Sequence, residues 1–325
     1  MCEGSAGLET RDTADLEVAL LKPFFGSRIP RCMKRSKQGL TKPVIEQVAE
    51  MAMRLSRPHL ADYGAATSRH DFTQRQLMSC LVLRAYLRTT YRGVWEFLAV
   101  SQSLRRCLGF EDKLPHFTTL YKFSRRSQVV AIVQQLIAKI GQVAARQEAP
   151  TGAVAMDATG LSGSTASEYF RSRTGKHCQQ WVKVSAVVLC TSLLPVGLVM
   201  SLGPSNDRVQ AAQLLDQAQA ICHPAALYAD AGYDAEWIHA RCREQWAVES
   251  LIKPNGHRAD GTRNGKWRAG MSPEHLQERG YGKRWAVESF FSGLKRTMGA
   301  ALNARRHDQM IAEASFRVLA YALRR

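Results

Sequence analysis

Apolar residues recur every three or four positions from Lys42 to Arg146, which predicts a run of amphipathic helices. VIEQVAEMAMRL, from Val44, carries one apolar stripe. FTQRQLMSCLVLRAYL follows Asp71, and Gln74 three residues on predicts a capping box at Asp71. Thr90 predicts the cap of YRGVWEFLAV, and HFTTLYKFSRR and QVVAIVQQLIAKIGQVAA add two more helices. After Gln147-Glu148-Ala149-Pro150 the period shortens. AVAMD (153–157), WVKVSAVVLCT (181–191) and LPVGLVMSL (194–202) read as strands, the last two as a hairpin. Asp207 predicts the cap of RVQAAQLLDQAQAI; AALYAD (225–230) is a further strand, Asp234 caps a helix running to Gln245, and Pro254 stops a strand in WAVESLIKP. Three consecutive strands followed by strand–helix units predict a mixed sheet flanked by helices. Residues 1–40 lack periodicity and read as a loosely ordered arm. The expected division is this arm, a helical domain over 41–147 for DNA binding or dimerisation, and an α/β domain over 150–325.

Charge sharpens the picture. Lys and Arg number 45 against 28 acids, a formal charge of +17, which points to a polyanionic partner, nucleic acid first. Arg105-Arg106 and Arg125-Arg126 on short helices suit a DNA-binding bundle. No apolar run reads as a membrane span, and the acidic N-terminus lacks a signal pattern, so a cytoplasmic, nucleoid-associated protein is expected. The 8 cysteines form no CxxC pair. His239-x-x-Cys242 and Cys222-His223 are weak zinc spacings, and reduced, buried thiols are the plainer reading.

The chemistry gathers in YGKRWAVESFFSGLK (281–295). On a helix beginning near Gly282, offsets of three, four and seven bring Tyr281, Arg284, Glu288 and Lys295 within roughly 60° of one another. Trp285, Phe290 and Phe291 occupy the other side and can bury. The pentapeptide WAVES also occurs at 246–250, where the following LIKP favours a strand; Glu249 is therefore not expected to share the role of Glu288.

Asp157 and Asp230 each end an apolar strand, where the core has no need of a carboxylate. If those strands are neighbours, the two carboxylates converge at one sheet edge, and Glu288 from a packed helix completes a trio. Three hard oxygen donors suit Mg²⁺ or Mn²⁺ rather than zinc. Two such ions stabilise both oxygens of an in-line phosphoryl displacement. Residues 253–268 carry Lys253, Arg258, Arg263, Lys266 and Arg268 against the single acid Asp260, a candidate DNA-contacting loop. Within it Trp267 could stack on an unpaired base, with a core anchor the alternative.

The chain resembles the DDE transposases of bacterial insertion sequences, in the branch with the signature Y-x2-R-x3-E-x6-K. That signature falls on Tyr281, Arg284, Glu288 and Lys295 without mismatch, and the two aspartates match Asp157 in AMDATGL and Asp230 in YADAGYD. Over roughly 150–322 the resemblance implies a ribonuclease H-like catalytic fold; TTYRGVWEFLAV and LPHFTTLYKF resemble the helical N-terminal domain of the same enzymes. It also implies metal ligation by Asp157, Asp230 and Glu288, with two Mg²⁺ or Mn²⁺ ions. The expected partners are double-stranded DNA, as terminal inverted repeats and target, and a second copy of the chain; no membrane is expected. Nicking at the element ends, then attack of the freed 3′-hydroxyl on target DNA, is the implied reaction. Arg284, Lys295 and Tyr281 would contact the DNA backbone. The span from Asp230 to Glu288 is too short for the β-rich insertion some relatives carry, so a hairpin intermediate is left open. Another ribonuclease H-like nuclease, or a transposase-derived DNA-binding protein without catalysis, are the competing readings.

Overall fold

The computed structural model describes residues 42–148, 152–163, 173, 181–256 and 264–325. The expected arm over 1–40, together with Arg258 and Arg263 of the basic loop, lies outside the described residues. The N-terminal helices are α1 (Val44–Ser56), α2 (Gln74–Tyr86), α3 (Tyr91–Val100), α4 (Gln102–Leu108), α5 (Phe117–Ser124) and α6 (Ser127–Gln147). The capping box of α2 lies two residues later than the sequence pattern suggests. Thr73 Oγ1 accepts from the Gln76 amide at 3.3 Å, and Gln76 Oε1 accepts from the Thr73 amide at 2.8 Å. Asp71 instead faces Lys113, and Gln74 reaches Ala61 O. Both spacings fit the box, and the tertiary partners of Asp71 and Gln74 select between them. Thr90 caps α3 as expected, accepting from the Gly93 amide at 3.0 Å.

The sheet has five strands: β1 (Ala153–Ser162), β2 (Trp181–Leu189), β3 (Pro195–Leu202), β4 (Ala226–Ala229) and β5 (Glu249–Ile252), in the order β3-β2-β1-β4-β5. β1, β2 and β3 form the antiparallel meander expected; β4 runs parallel to β1 and β5 parallel to β4. Between them come α7 (Arg208–Gln219) and α8 (Glu236–Ala240). After β5 come α9 (Pro273–Glu278), a 3₁₀ turn (Tyr281–Arg284), α10 (Trp285–Met298) and α11 (His307–Arg324). α8 continues as a π-helical turn, Arg241–Gln245.

The helices and the sheet share one continuous apolar core. α11 runs through it: Phe316, Val318, Leu319 and Ala320 are buried, and the helix packs on α2, α6 and β3. Within α10, Gly293 permits the crossing with α11, because a Cβ there would lie 2.1 Å from Tyr321 Oη. The ion pair Glu313–Arg317 ties down the α10–α11 connection. Glu313 accepts from the Ala304 amide at 2.9 Å, and Arg317 donates to Gly299 O at 2.9 Å. Among the described residues one helix, α6, is long and apolar enough to cross a membrane, against the expectation that no apolar run reads as a span. Its stripe Val129, Val133, Leu136, Ile137 and Ile140 is buried, and the helix packs on β3 and α11.

Candidate active site at the sheet edge

The site forms where two parallel neighbours stop keeping pace. β4 ends at Ala229, opposite Met156, while β1 runs on to Ser162 alongside β2. Asp157 is therefore not the last residue of its strand. The polar ATGLS segment stays in strand because β2 supplies partners on one side, and only the β4 side opens. Asp230 follows Ala229 directly, so it stands beside Asp157 at the point where β4 ends and β1 runs on, between the two strands at which the strand order reverses. In open α/β sheets that is where ligands bind.

Asp230 Oδ1 accepts from the Gly232 amide at 2.9 Å and caps the 3₁₀ turn Ala231–Tyr233. Asp157 Oδ1 accepts from the Ala158 amide at 2.7 Å. Burial pushes the Asp157 carboxyl up to about 6; the Ala158 amide opposes this, Asp230 adds to it and Arg284 opposes it. Arg284, in the 3₁₀ turn before α10, places Nη1 3.7 Å from Asp157 Oδ2, and its Nη2 pairs with Glu288. One guanidinium thus links the carboxylate of β1 to that of α10. Lys295 lies two turns further along α10, about 10 Å from Glu288.

Tyr281 is placed differently from the expectation of a helical face shared with Arg284. α10 begins only at Trp285, and Tyr281 opens the preceding 3₁₀ turn. Gly280, at φ 70°, resets the chain there. The Tyr281 hydroxyl donates to Ala229 O at 2.8 Å, capping the last carbonyl of β4 beside Asp230, and burial pushes it up to about 12. It positions the strand end rather than facing outward.

The basic loop divides. Lys253 is exposed at the carboxyl end of β5, on the same sheet edge as Asp230, and Lys266 is exposed. Arg268 is committed inside the protein: its guanidinium makes two hydrogen bonds to Asp234, at 2.7 and 2.6 Å. Asp234 also accepts from the Asn255 amide at 2.8 Å. Burial works against the Asp234 carboxylate, but Arg268 and that amide outweigh it and hold the group below the usual range. This overturns the assignment of Asp234 as a helix cap; α8 starts at Glu236, after Ala235. Trp267 neither anchors the core nor stands free. Its ring lies between Arg243 and Lys266, 4.9 and 4.3 Å from the centroid, and its Nε1 donates to Glu244.

The zinc spacing resolves as core. His239 Nδ1 meets Ser250 Oγ at 2.8 Å in full burial, which pushes its pKa down to about 4, and burial pushes the Cys242 thiol up to about 12. Asp207 does not cap α7 with its side chain. Lys183, 2% exposed on β2, takes that carboxylate at 2.6 Å. Sequence reasoning missed this pair, and a lysine inside the apolar run WVKVSAVVL was the available signal.

Among the described residues no three His, Cys, Asp or Glu side chains are drawn together closely enough to hold a metal ion. Asp157 Oδ1 is turned onto its own chain and Glu288 onto Arg284. The donor set still fits a hard divalent cation: two carboxylates on neighbouring strands, one held neutral longer by burial and by its neighbour, with no thiol or imidazole among the described groups that shift it.

This five-stranded mixed sheet, flanked by helices, is consistent with a ribonuclease H-like transposase domain. Residues 148–323, more than half of the chain, match the transposase DDE domain, and the protein belongs to that family. Members of the family are metal-dependent enzymes that act on DNA. No curated protein matches the sequence.

Proposed function

We propose that this transposase nicks the ends of an insertion sequence and joins the freed 3′-hydroxyl ends to target DNA, as the Y-x2-R-x3-E-x6-K branch implied by Tyr281, Arg284, Glu288 and Lys295. The observation that carries the reading is the adjacency of Asp157 and Asp230 at the switch point, bridged to Glu288 by Arg284. Asp157, Asp230 and Glu288 would hold the Mg²⁺ or Mn²⁺ ions. Those ions, when bound, supply positive charge to the attacking and leaving oxygens of the phosphodiester. Tyr281 fixes the β4 end and hence the Asp230 backbone. Arg284 leaves Glu288 for a phosphate oxygen as DNA arrives, and Lys295 contacts the backbone further along α10. Lys253 and Lys266 extend the positive rim, with Arg258 and Arg263 assigned to the same loop from sequence alone. A second copy of the chain on the DNA, the separate roles of 41–147 and 150–325, and two ions rather than one belong to the same proposal.

The test is Mg²⁺-dependent nicking of an end-bearing duplex by Asp157→Asn, Asp230→Asn and Glu288→Gln, with DNA binding measured in parallel. Each should lose at least ~10³-fold in cleavage while retaining binding. Carboxylate variants that still nick, or that fail chiefly in binding, would sink the assignment.

A further inference from the structure

Asp207 lies apart from the sequence signature, yet the fold brings it to the same edge. The loop between β3 and α7 folds onto the turn that carries Asp230. Lys183 Nζ donates to Ser205 O and to Asp207 Oδ1, each at 2.6 Å. Gln210 Nε2 donates to Ser201 Oγ and Ser205 Oγ, both at 3.1 Å, and Arg208 Nε donates to Gly232 O at 3.1 Å. Asp207 is therefore braced from two sides.

One oxygen of Asp207 answers the buried ammonium of Lys183, which needs a counter-charge. The other, Oδ2, lies beside Gly232, whose amide donates to Asp230 Oδ1 at 2.9 Å. The point where a Cβ on Gly232 would sit is 2.8 Å from Asp207 Oδ2 and 3.0 Å from Asp230 Oδ1. Only glycine leaves that point open. Two carboxylates flanking one residue repel each other unless a cation lies with them. A second, independent feature lies in the same turn. Tyr233 is 0% exposed, its hydroxyl has no hydrogen-bond partner, and it lies within electrostatic reach of Asp207, Asp157 and Asp230. A buried hydroxyl without a partner is costly, and an oxygen brought in with a ligand would satisfy it.

We propose that Asp207 is a further oxygen donor for the divalent cation: in the DNA-free protein the cation is taken up by Asp207 and Asp230, with Asp157 turning in, while Arg284 still holds Glu288. The inference rests on the reading that this edge binds a divalent cation. It adds a residue outside the Asp157–Asp230–Glu288 trio and an order of assembly, with Glu288 joining only when DNA draws Arg284 away.

The experiment measures Mn²⁺ binding to the full-length, DNA-free protein by the electron paramagnetic resonance signal of free Mn²⁺. Asp207→Asn and Asp230→Asn should each weaken binding by at least ~10-fold, Asp207→Glu should recover most of it, and Glu288→Gln should change it by less than about twofold. Removal of Asp207 leaves Lys183 without its counter-ion and can unfold the chain. The double variant Lys183→Met, Asp207→Asn removes both charges and should still bind Mn²⁺ at least ~10-fold more weakly. Unchanged Mn²⁺ affinity in a folded Asp207 variant, with Asp230→Asn weakened, would reduce Asp207 to a brace for Lys183 and leave the proposed function standing. Unchanged affinity in Asp230→Asn would instead remove the cation-binding edge on which both readings rest. A loss in Glu288→Gln equal to that in Asp207→Asn would overturn the order of assembly.

Discussion

Trp-Ala-Val-Glu-Ser occurs at 246–250 and again at 285–289, and the two copies adopt different structures at opposite ends of one sheet. In the first, Trp246 is 3% exposed and its Nε1 donates to Cys222 O at 2.9 Å. Ala247 sits at φ 58°, and Glu249 opens β5. Glu249 aligns with Ala226 at the start of β4, four residues before Asp230, or about 13 Å along the strand. Its carboxylate is taken by Arg279, with Arg243 and His275 each 3.9 Å away. In the second copy Trp285 is 60% exposed, the backbone is the first turn of α10, and Glu288 pairs with Arg284 at the aspartate edge. Five identical residues thus give a buried strand start that is braced and an exposed helix start that faces the acids. The pentapeptide carries neither outcome. The first copy is followed by Leu251 and Ile252, which bury in the sheet; the second is followed by Phe290, Phe291 and Leu294, whose spacing buries one side of a helix.

The widest expected gap between the copies is in catalysis. Glu288→Gln is expected to lose at least ~10³-fold in nicking of an end-bearing duplex, and Glu249→Gln to stay within a few fold. Reversed losses would mean that the helix, not the strand, is the structural copy. Next come the tryptophans. Trp246→Ala should cost about 3–5 kcal/mol in denaturant unfolding, while Trp285→Ala should stay within about 0.5 kcal/mol. Equal costs would show that the two environments differ less than their burial indicates.

The guanidinium beside the second copy has the next largest expected effect. Arg284→Ala and Lys295→Ala should each weaken binding of a pre-cut end by about 1–3 kcal/mol and lower the slope of log affinity against log salt by about one. Variants of Arg279, the partner of Glu249, should leave that slope unchanged. Salt titrations of DNA binding would decide between these outcomes.

Asp157 gives a pH test of the same edge. Its folded pKa, about 6, is above the unfolded value, so the native state holds the extra proton between roughly pH 4 and 6. Stability contributed by this group is present below the unfolded pKa and falls as pH rises through about 6. Asp157→Asn, which keeps an acceptor for the Ala158 amide, should therefore be more stable than the parent above pH 6, by on the order of 1–2 kcal/mol, and equal to it in mild acid. Thermal unfolding without divalent cations is the measurement, and a constant offset across pH would refute the burial argument. The smallest effect belongs to Glu249, whose half-exposed partner Arg279 limits the loss in Glu249→Gln to about 0.5–1 kcal/mol of stability.

The sequence alone determined the succession of strands and helices along the chain, the spacing of Arg284 and Glu288 at the start of α10, the separation of the two WAVES copies and the acids that end up at the sheet edge. These are local or periodic properties: apolar spacing fixes which side of an element must bury, and a carboxylate after an apolar strand stands out against its neighbours. What tertiary structure decided depends on groups distant in sequence. Whether Asp71 or Thr73 caps α2 turned on Lys113 and Ala61. Arg268 faces Asp234 instead of solvent because the segment after Asn264 is laid over the start of α8, where Glu236 accepts the Trp267 and Arg268 amides. Tyr281 reaches Ala229 O because Gly280 delays the helix until Trp285. Asp207 was legible only as a helix cap, since nothing local announces that a buried lysine on β2 draws it to the turn that carries Asp230. Hydrogen-bond donors and acceptors have many possible partners along a chain, and the packed core chooses among them by bringing only some within 3 Å.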